Sequence, residues 1–397
     1  MTLRLHLKPG REIPLIRGHP WVMSGAIARL EGDESLDEAG VLAADGRFIG
    51  MATVHPTSEI RARLFSTVEG ETLNVHGLLD RLAAARDCRQ RWLAPKTEGM
   101  RVAFSESDGL PGLIVDRYRD TLVVQFLTAP MDRRREAVVK ALTEVWNPRT
   151  IWERSDVDAR RHEGLEPRKG LLSGQPLDGP VSFDEGRLHF LADIENGHKT
   201  GFYLDQKSSR ARIAAWVRQL GAPRVLNAFA YSDSFGIAAL AAGAAHVLAV
   251  DSSAGARELA ERQHALNPSS EPGRREYRIG KAFETLRDLR EAKERFDLVI
   301  LDPPRLVSRK DRLRQGLSAY KDINLLACHL VAPGGLLVTF SCSGLLDREL
   351  FGKVIEGAAR DARRSAQFIE ELGQPPDHPH KPGFPESAYL KGFVVGL

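Results

Sequence analysis

Apolar and polar residues alternate in short runs along residues 1–70. Runs at residues 3–7, 40–44 and 60–64 are separated by glycine-containing turns. A period of two residues is typical of β-strands with one buried face, and the glycines mark the turns between them. A helical stretch follows at residues 73–92. The pattern predicts a small, barrel-like β domain followed by a helix.

The middle of the chain mixes strand-like and helix-like patterns. Apolar runs at residues 112–116 and 121–126 precede a helical stretch at residues 131–145 and a strand near residues 150–152. Residues 170–186 are rich in glycine and proline, which interrupt helices and strands and therefore indicate a boundary. We predict a central α+β domain that ends in this segment.

From residue 187 onward, nearly continuous apolar runs alternate with helical stretches. The predicted strands occupy residues 224–229, 245–251, 276–279, 296–301 and 335–340. Strands that are apolar on both faces and separated by helices are typical of a parallel sheet covered on both sides. The predicted fold class is therefore α/β, with a doubly wound sheet. A last apolar run at residues 389–395 is expected to add an antiparallel edge strand.

Composition places the chain among ordinary soluble proteins. Its 397 residues are 42% hydrophobic and 27% charged, with a net charge of +3, and they suffice for two or three domains. The N-terminus lacks the apolar run of a signal peptide, and no segment approaches the length of a membrane span. Three distant cysteines, Cys88, Cys328 and Cys342, argue against a disulfide framework and a zinc site. We expect a cytoplasmic protein with neither a metal nor a membrane partner.

Arginine dominates the 56 basic residues and forms clusters at residues 133–135 and 160–161. Guanidinium groups bind phosphate and stack on bases. A solvated helix face explains such a cluster equally well, so the clusters alone do not indicate RNA.

Two polar runs directly follow predicted strands of the α/β region. Asp302-Pro303-Pro304 follows one strand, and Cys342, flanked by two serines, follows the next. Open α/β sheets bind ligands at the carboxyl ends of their strands. A thiol and a carboxylate in one crevice indicate attack on an electron-poor ring, which the acid holds or protonates. Cys328 lies in an apolar helical run and is expected to pack in the core.

The first strand–turn–helix unit of this region is a candidate cofactor site. The turn at residues 230–236 presents helix N-terminal amides to a polar or anionic group. Asp251, at the end of the next strand, is placed to bind a ribose hydroxyl pair. The turn lacks a G-x-G-x-x-G motif, so a nucleoside cofactor fits better than a dinucleotide. A purely structural turn remains the alternative.

Together these runs resemble the large-subunit 23S ribosomal RNA cytosine-5 methyltransferase I family, whose members use S-adenosylmethionine. The matching runs are residues 18–21, 106–112, 153–156, 197–206, 302–304, 320–324, 340–344 and 389–393. The resemblance implies an N-terminal PUA domain for RNA at residues 1–72 and a central α+β domain at residues 73–186. It implies a Rossmann-like class I methyltransferase domain at residues 187–397. The implied partner is 23S rRNA or a large-subunit precursor, and a homodimer is compatible with it.

The resemblance also assigns roles to individual residues. By motif position Cys342 is the nucleophile that adds to cytosine C6, and Asp302 holds and protonates the pyrimidine. The expected cofactor-binding residues are Lys199, Thr200, Gly201, Phe202, Gln206, Asn227, Phe229, Tyr231, Ser232, Ser234, Asp251 and Ser252. The expected RNA-binding residues are Arg17, His19, Trp21, Arg305 and Lys321. Pro304 stands where enzymes of this chemistry often have a second cysteine, so another base must take the C5 proton.

Three positions differ from the family pattern. Asp233-Ser234 replace a Gly-Gly pair, and Asp233 would bring a negative charge close to the cofactor carboxylate unless it points away. Gly280-Lys281 replace an acid that meets the adenine amino group, and Arg305-Leu306 replace a lysine and an aromatic residue. Two alternatives stay open. One is a methyltransferase that acts on a base amino group, and the other is a non-catalytic RNA-binding or ribosome-assembly paralogue with a decayed cofactor site.

Overall fold

The computed structural model describes residues 2–268, 274–307 and 309–397. Two compact units make up the chain. The first consists of Met1–Phe183, Ala192–Leu204 and Pro376–Ser387, and the second consists of Asp184–Leu191, Asp205–Pro375 and Ala388–Leu397. The three predicted domain ranges stay predictions.

The first unit begins with a six-stranded sheet. Its elements are β1 (Leu3–Leu7), α1 (Ile13–Ile16), β2 (Trp21–Met23), β3 (Ile27–Glu31), β4 (Glu38–Leu42), β5 (Phe48–Val54) and β6 (Ile60–Ser66). The strand order is β2-β6-β5-β4-β1-β3, in which only β1 and β4 pair in parallel. Alternate residues such as Leu5, Val41 and Ala52 are buried, so the predicted strand-rich segment is confirmed.

A second sheet with three helices follows in the first unit. Its elements are α2 (Val75–Trp92), β7 (Gly99–Phe104), β8 (Leu113–Tyr118), β9 (Thr121–Phe126), α3 (Ala129–Arg133), α4 (Arg135–Trp146), β10 (Thr150–Ser155) and β11 (Arg168–Gly174). The strand order is β11-β10-β9-β8-β7. The predicted single helix at residues 131–145 is interrupted at Arg134, whose backbone leaves the helical region. The segment at residues 170–186, predicted as a boundary, contains most of β11 and the strand β12 (Val181–Glu185), which pairs with β13 (Leu188–Ala192), and the boundary stays a prediction.

The clustered arginines of the first unit are paired with acidic side chains. Arg134 contacts Asp37 at 2.8 Å and Glu38 at 2.6 Å. Arg160 is almost fully buried and contacts Asp132 at 2.8 Å. A solvated helix face is therefore the wrong explanation for Arg134 and Arg160, whose hydrogen bonds stabilise the fold.

The second unit is a seven-stranded sheet between two layers of helices. Its elements are α5 (Lys207–Leu220), β14 (Arg224–Ala228), α6 (Ser234–Ala241), β15 (His246–Asp251), α7 (Ala254–Leu266), β16 (Arg275–Ile279), α8 (Ala282–Glu291), β17 (Phe296–Leu301), α9 (Leu313–Leu330), β18 (Val331–Ser341), α10 (Arg348–Asp361), β19 (Gln367–Gly373) and β20 (Lys391–Gly396). The order is β16-β15-β14-β17-β18-β20-β19. The predicted parallel strands β14 to β18 are confirmed.

The position of the last strand differs from the prediction. β20 is antiparallel to β18, as expected, but it is not an edge strand, because β19 pairs along its other side. Phe368 and Ile369 of β19 are about half exposed, so this strand lacks the buried apolar run that identifies its neighbours. Its sequence pattern consequently gave no strand signal.

Both faces of this sheet are buried, which explains its continuous apolar strands. Along β17, Val299 packs in one apolar cluster while Leu298 and Ile300 pack in the cluster on the opposite face. Cys328 is fully buried in the first cluster, and burial raises its thiol pKa to about 12. The prediction that Cys328 packs in the core is confirmed.

Across the described residues, no helix has both the length and the apolar character needed to cross a membrane. The same part of the chain contains no group of three or more His, Cys, Asp or Glu side chains arranged to hold a metal ion.

Candidate active site

The carboxyl ends of β17 and β18 position the predicted catalytic pair. The two strands are parallel neighbours, with Leu301 opposite Thr339. Asp302 directly follows β17 and Cys342 directly follows β18, so both lie at the same edge of the sheet. Cys342 is partly exposed, as a nucleophile must be to meet a substrate.

A buried hydroxyl network fixes the turn that contains Cys342, which we call the cysteine turn (residues 341–346). Ser341 Oγ donates to Tyr320 Oη at 2.9 Å, and Tyr320 Oη lies 3.0 Å from Ser343 Oγ. The backbone N–H of Val307 donates to Ser343 Oγ at 3.3 Å. All three hydroxyl-bearing residues are fully buried. The network therefore holds the residues on both sides of the thiol.

A lysine from β20 reaches the same turn. Lys391 is buried, and its Nζ donates to the carbonyl of Ser343 at 2.7 Å and to that of Leu346. Burial lowers the pKa of Lys391 to about 8, and a nearby Cys342 thiolate opposes that shift.

The carboxylate of Asp302 is oriented by Gln206, which lies just before α5. Gln206 Nε2 donates to Asp302 Oδ2 at 3.0 Å. The other end of the amide, Gln206 Oε1, is buried and meets no hydrogen-bond partner within the described part of the chain. An unpaired buried acceptor is costly in a folded protein, so Gln206 is suited to receive a donor from a ligand.

The turn after β14, which we call the cofactor turn (residues 229–234), has an unusual backbone. Phe229, Tyr231 and Asp233 have φ values of 61°, 47° and 58°, in the left-handed region that residues other than glycine seldom adopt. Such strain persists only where surrounding contacts enforce it, and it is concentrated at functional sites.

Asp251, the last residue of β15, supplies one of those contacts. Its carboxylate accepts the backbone N–H of Tyr231 at 2.8 Å and that of Ser253 at 3.0 Å. Tyr277 Oη donates to the carbonyl of Tyr231 at 2.6 Å, and burial raises the pKa of this phenol. The acid predicted for a ribose thus lies against the cofactor turn.

Asp233, which replaces a glycine of the family pattern, is turned into the protein. It is 1% exposed. Asn227 Nδ2 donates to its Oδ1 at 2.8 Å, and His264 Nε2 lies 2.9 Å from its Oδ2. A Cβ added at Gly236 would lie only 2.2 Å from Asp233 Oδ1, so this glycine leaves room for the carboxylate. Both carboxylate oxygens of Asp233 are therefore occupied by contacts within the protein.

Two more polar atoms of this site have no partner among the described residues. They are Oδ1 of Asn227 and Oγ of Ser232, both in fully buried side chains. With Gln206 Oε1, three residues predicted to bind the cofactor each hold one unused buried polar atom. Ser234 begins α6 and Ser252 is exposed after β15.

Four predicted cofactor residues, Lys199 to Phe202, belong to the first unit. Thr200 Oγ1 donates to the buried carboxylate of Asp116 at 2.7 Å. Phe202 is buried against Phe183, with ring centroids 5.1 Å apart. Gly201 has a φ of 119° and adjoins the backbone of residue 193 too closely for a side chain. The side chains of Thr200 and Phe202 thus stabilise the first unit, and their contact with a cofactor stays a prediction.

The predicted RNA-binding residues belong to both units, with Arg17, His19 and Trp21 in the first and Arg305 and Lys321 in the second. Trp21 Nε1 donates to Glu106 at 2.8 Å, and His19 lies against Trp21 with ring centroids 5.7 Å apart. Arg17 and Arg305 are exposed. Lys321, on α9, pairs with Asp361 at 2.6 Å. Arg17 and His19 line one surface groove with Ile13, Pro14, Pro382 and Gly383.

Comparison with known proteins identifies the family. The chain is 41% identical to ribosomal RNA large subunit methyltransferase I of Aeromonas salmonicida over 397 residues, which cover 100% of this chain and 99% of that protein. It is 40% identical to the protein of the same name from Escherichia coli O139:H28, with 99% of each covered. The chain belongs to the ribosomal RNA large subunit methyltransferase I family.

Family models agree with that assignment. A model of S-adenosylmethionine-dependent methyltransferases matches residues 109–394, and a PUA-like domain model matches residues 5–67. The fold is that of a solved S-adenosylmethionine-dependent methyltransferase from Streptococcus mutans, with a TM-score of 0.85, 20% identity and full coverage of both chains. A methyltransferase crystallised with SAH gives a TM-score of 0.86, with the same identity and coverage. Members of the family, including this chain, therefore use S-adenosylmethionine.

Three residues of the site had no role in the sequence prediction. Tyr320 and Lys391 both lie in runs that match the family, so the resemblance could have identified them. His264 is separated from Asp233 by 31 residues, and no local pattern connects the two.

Proposed function

We propose that this protein methylates C5 of a cytosine in 23S rRNA of the large ribosomal subunit, with Cys342 as the nucleophile. The observation that supports this most directly is the position of Asp302 and Cys342 at the ends of adjacent parallel strands. A base amino group needs no thiol for methylation, whereas C5 of cytosine is activated only after a nucleophile adds to C6. The relatives named for large-subunit rRNA supply the substrate class.

The proposed steps use Cys342 and Asp302 in turn. The Cys342 thiolate forms a bond to C6, and the ring electrons move toward C5 while Asp302 protonates N3. S-adenosylmethionine supplies the methyl group from its sulfonium and leaves as S-adenosylhomocysteine. A base then removes the C5 proton and the N3 proton returns to Asp302, while the electron pair re-forms the C5–C6 double bond and the S–C6 bond breaks. The target cytosine must leave its stack to reach the crevice.

The unpaired polar atoms near the cofactor turn are suited to bind the amino-acid end of a ligand. Oδ1 of Asn227 and Oε1 of Gln206 are acceptors suited to an ammonium, and the Ser232 hydroxyl can donate or accept. Asp233 does not compete, because its oxygens face Asn227 and His264. These atoms support a functional cofactor site despite the replaced glycine, and they favour an enzyme over a non-catalytic paralogue.

Mapping of methylated cytosines tests the substrate. In bisulfite sequencing of 23S rRNA, 5-methylcytosine resists deamination, so a strain lacking this protein should lose the signal at one cytosine. Re-expression of the wild-type chain should restore it. If every cytosine keeps its signal, the proposed substrate is wrong. Loss of a methylated adenine or guanine instead, measured by mass spectrometry of the digested rRNA, would identify the amino-group alternative.

The groove beside Arg17 is proposed to contact RNA. Arg17→Glu is expected to weaken binding of a 23S rRNA fragment by about tenfold, because it replaces a phosphate-binding cation by an anion. Filter binding at fixed salt measures the change. Arg47→Glu is the matched control, since Arg47 is exposed in the turn between β4 and β5 of the same unit and pairs loosely with Asp45, at 3.9 Å. If the two variants bind the rRNA fragment with equal affinity, this groove does not contact RNA.

A further inference from the structure

The cysteine turn holds a buried positive charge that the steps proposed above do not use. Lys391 is 4% exposed, and lysine is seldom buried to that extent without a charged partner. In the pairing of β18 with β20 it lies opposite Ser341, while its Nζ donates to the carbonyl of Ser343. Lys391 thus contacts the backbone on both sides of Cys342.

Two neutral carbonyls do not compensate a buried ammonium. Such a group has three N–H donors, and Ser343 and Leu346 accept two of them. The charged groups that act on Lys391 are Cys342, Arg348, Asp347 and Arg305. The two arginines disfavour its charge, whereas Asp347 and an ionised Cys342 favour it. Cys342, at the centre of the turn, is the anion that the arrangement suits.

Tyr320 has a different part in the same turn. Its hydroxyl bridges Ser341 and Ser343, and burial raises its pKa, so it stays neutral at physiological pH. Tyr320 therefore orders the backbone around Cys342 and contributes no charge.

We infer that Lys391 is a positioning residue for Cys342, which holds the cysteine turn in place and stabilises the thiolate by its positive charge. The inference rests on the proposed nucleophilic role of Cys342. Cations beside a thiol favour its ionised form, and the thiolate is the attacking species. On ionisation the thiol proton passes to solvent, while Lys391 keeps its own. Because Lys391 loses its proton near pH 8, the stabilisation is present below that pH and fades above it.

Thiol alkylation tests this inference without methyl transfer. The rate at which iodoacetamide modifies Cys342 in the full-length protein is measured by peptide mass spectrometry across the pH range in which thiols titrate. In the wild type, the pH at which the alkylation rate of Cys342 reaches half its maximum, the midpoint, should lie below the ordinary thiol pKa of about 8.5. Lys391→Gln keeps an N–H donor for a turn carbonyl but removes the charge. This variant should raise the pH midpoint of Cys342 alkylation by about one pH unit and lower the alkylation rate at neutral pH about tenfold.

Two further variants separate charge from general damage. Lys391→Arg keeps the charge and should retain a midpoint below that of Lys391→Gln. Lys353→Gln is the matched control, because Lys353 is exposed on α10 and pairs with Glu349, and it should alkylate like the wild type.

Either of two results would overturn the inference. One is a Lys391→Gln profile that coincides with the wild type. The other is a wild-type midpoint at or above the ordinary thiol value, which decides the matter even if the variant does not fold. A Cys342→Ala protein that still methylates RNA would instead remove the proposed nucleophile, and it would leave the thiol titration of the wild type unchanged. The two failures are thus distinguishable.

Discussion

Cys342→Ala is expected to lower the rate of methyl transfer to 23S rRNA by at least about a thousandfold, as removal of a covalent nucleophile does in other enzymes. Without the Sγ–C6 bond, C5 of cytosine stays too electron-poor to accept the methyl group. The measurement is single-turnover transfer of a labelled methyl group to rRNA, with enzyme in excess.

The same variant should bind S-adenosylhomocysteine like the wild type in calorimetry, because the cofactor turn contains no atom of Cys342. Cys88→Ala is the matched control, since Cys88 is also partly exposed but lies on α2 in the first unit. It should retain full activity. Undiminished transfer by Cys342→Ala would rule out a covalent mechanism while leaving the family assignment in place.

His264→Ala is expected to lower the free energy of unfolding by about 3 kcal/mol, because it leaves the buried Asp233 carboxylate with fewer partners. His264 Nε2 lies 2.9 Å from Asp233 Oδ2, and both side chains are 2% exposed. This contact holds the side chain of a residue whose backbone has a left-handed φ of 58°. Urea unfolding followed by circular dichroism measures the loss, and S-adenosylhomocysteine affinity should fall with it.

Asp233→Gly is the informative comparison. Glycine adopts the φ of 58° at this position without strain and also removes the carboxylate, so the expected cost is only about 1 kcal/mol. In the double variant Asp233→Gly/His264→Ala, the loss should be smaller than the sum of the single losses, because the two residues act as a pair. Strictly additive losses would show that the pair does not hold the cofactor turn.

Local sequence pattern predicted most of the fold of the second unit. Strands β14 to β18 were found within a few residues, because a sheet buried on both faces requires apolar residues at successive positions. The break at Arg134 and the edge strand β19 were missed. Arg134 makes ion pairs with residues nearly a hundred positions away, and β19 is half exposed, so neither has a local apolar signature.

The sequence by itself determined the α/β class, the family and the adjacency of Asp302 and Cys342, since parallel strands end at the same edge of their sheet. Only the tertiary structure decided how those groups are supported. Lys391 contacts Ser343, which is 48 residues away in the sequence, and His264 contacts Asp233, which is 31 residues away. Such contacts depend on which elements pack together and on the few ångströms between side-chain atoms. A pattern of neighbouring residues does not encode those distances.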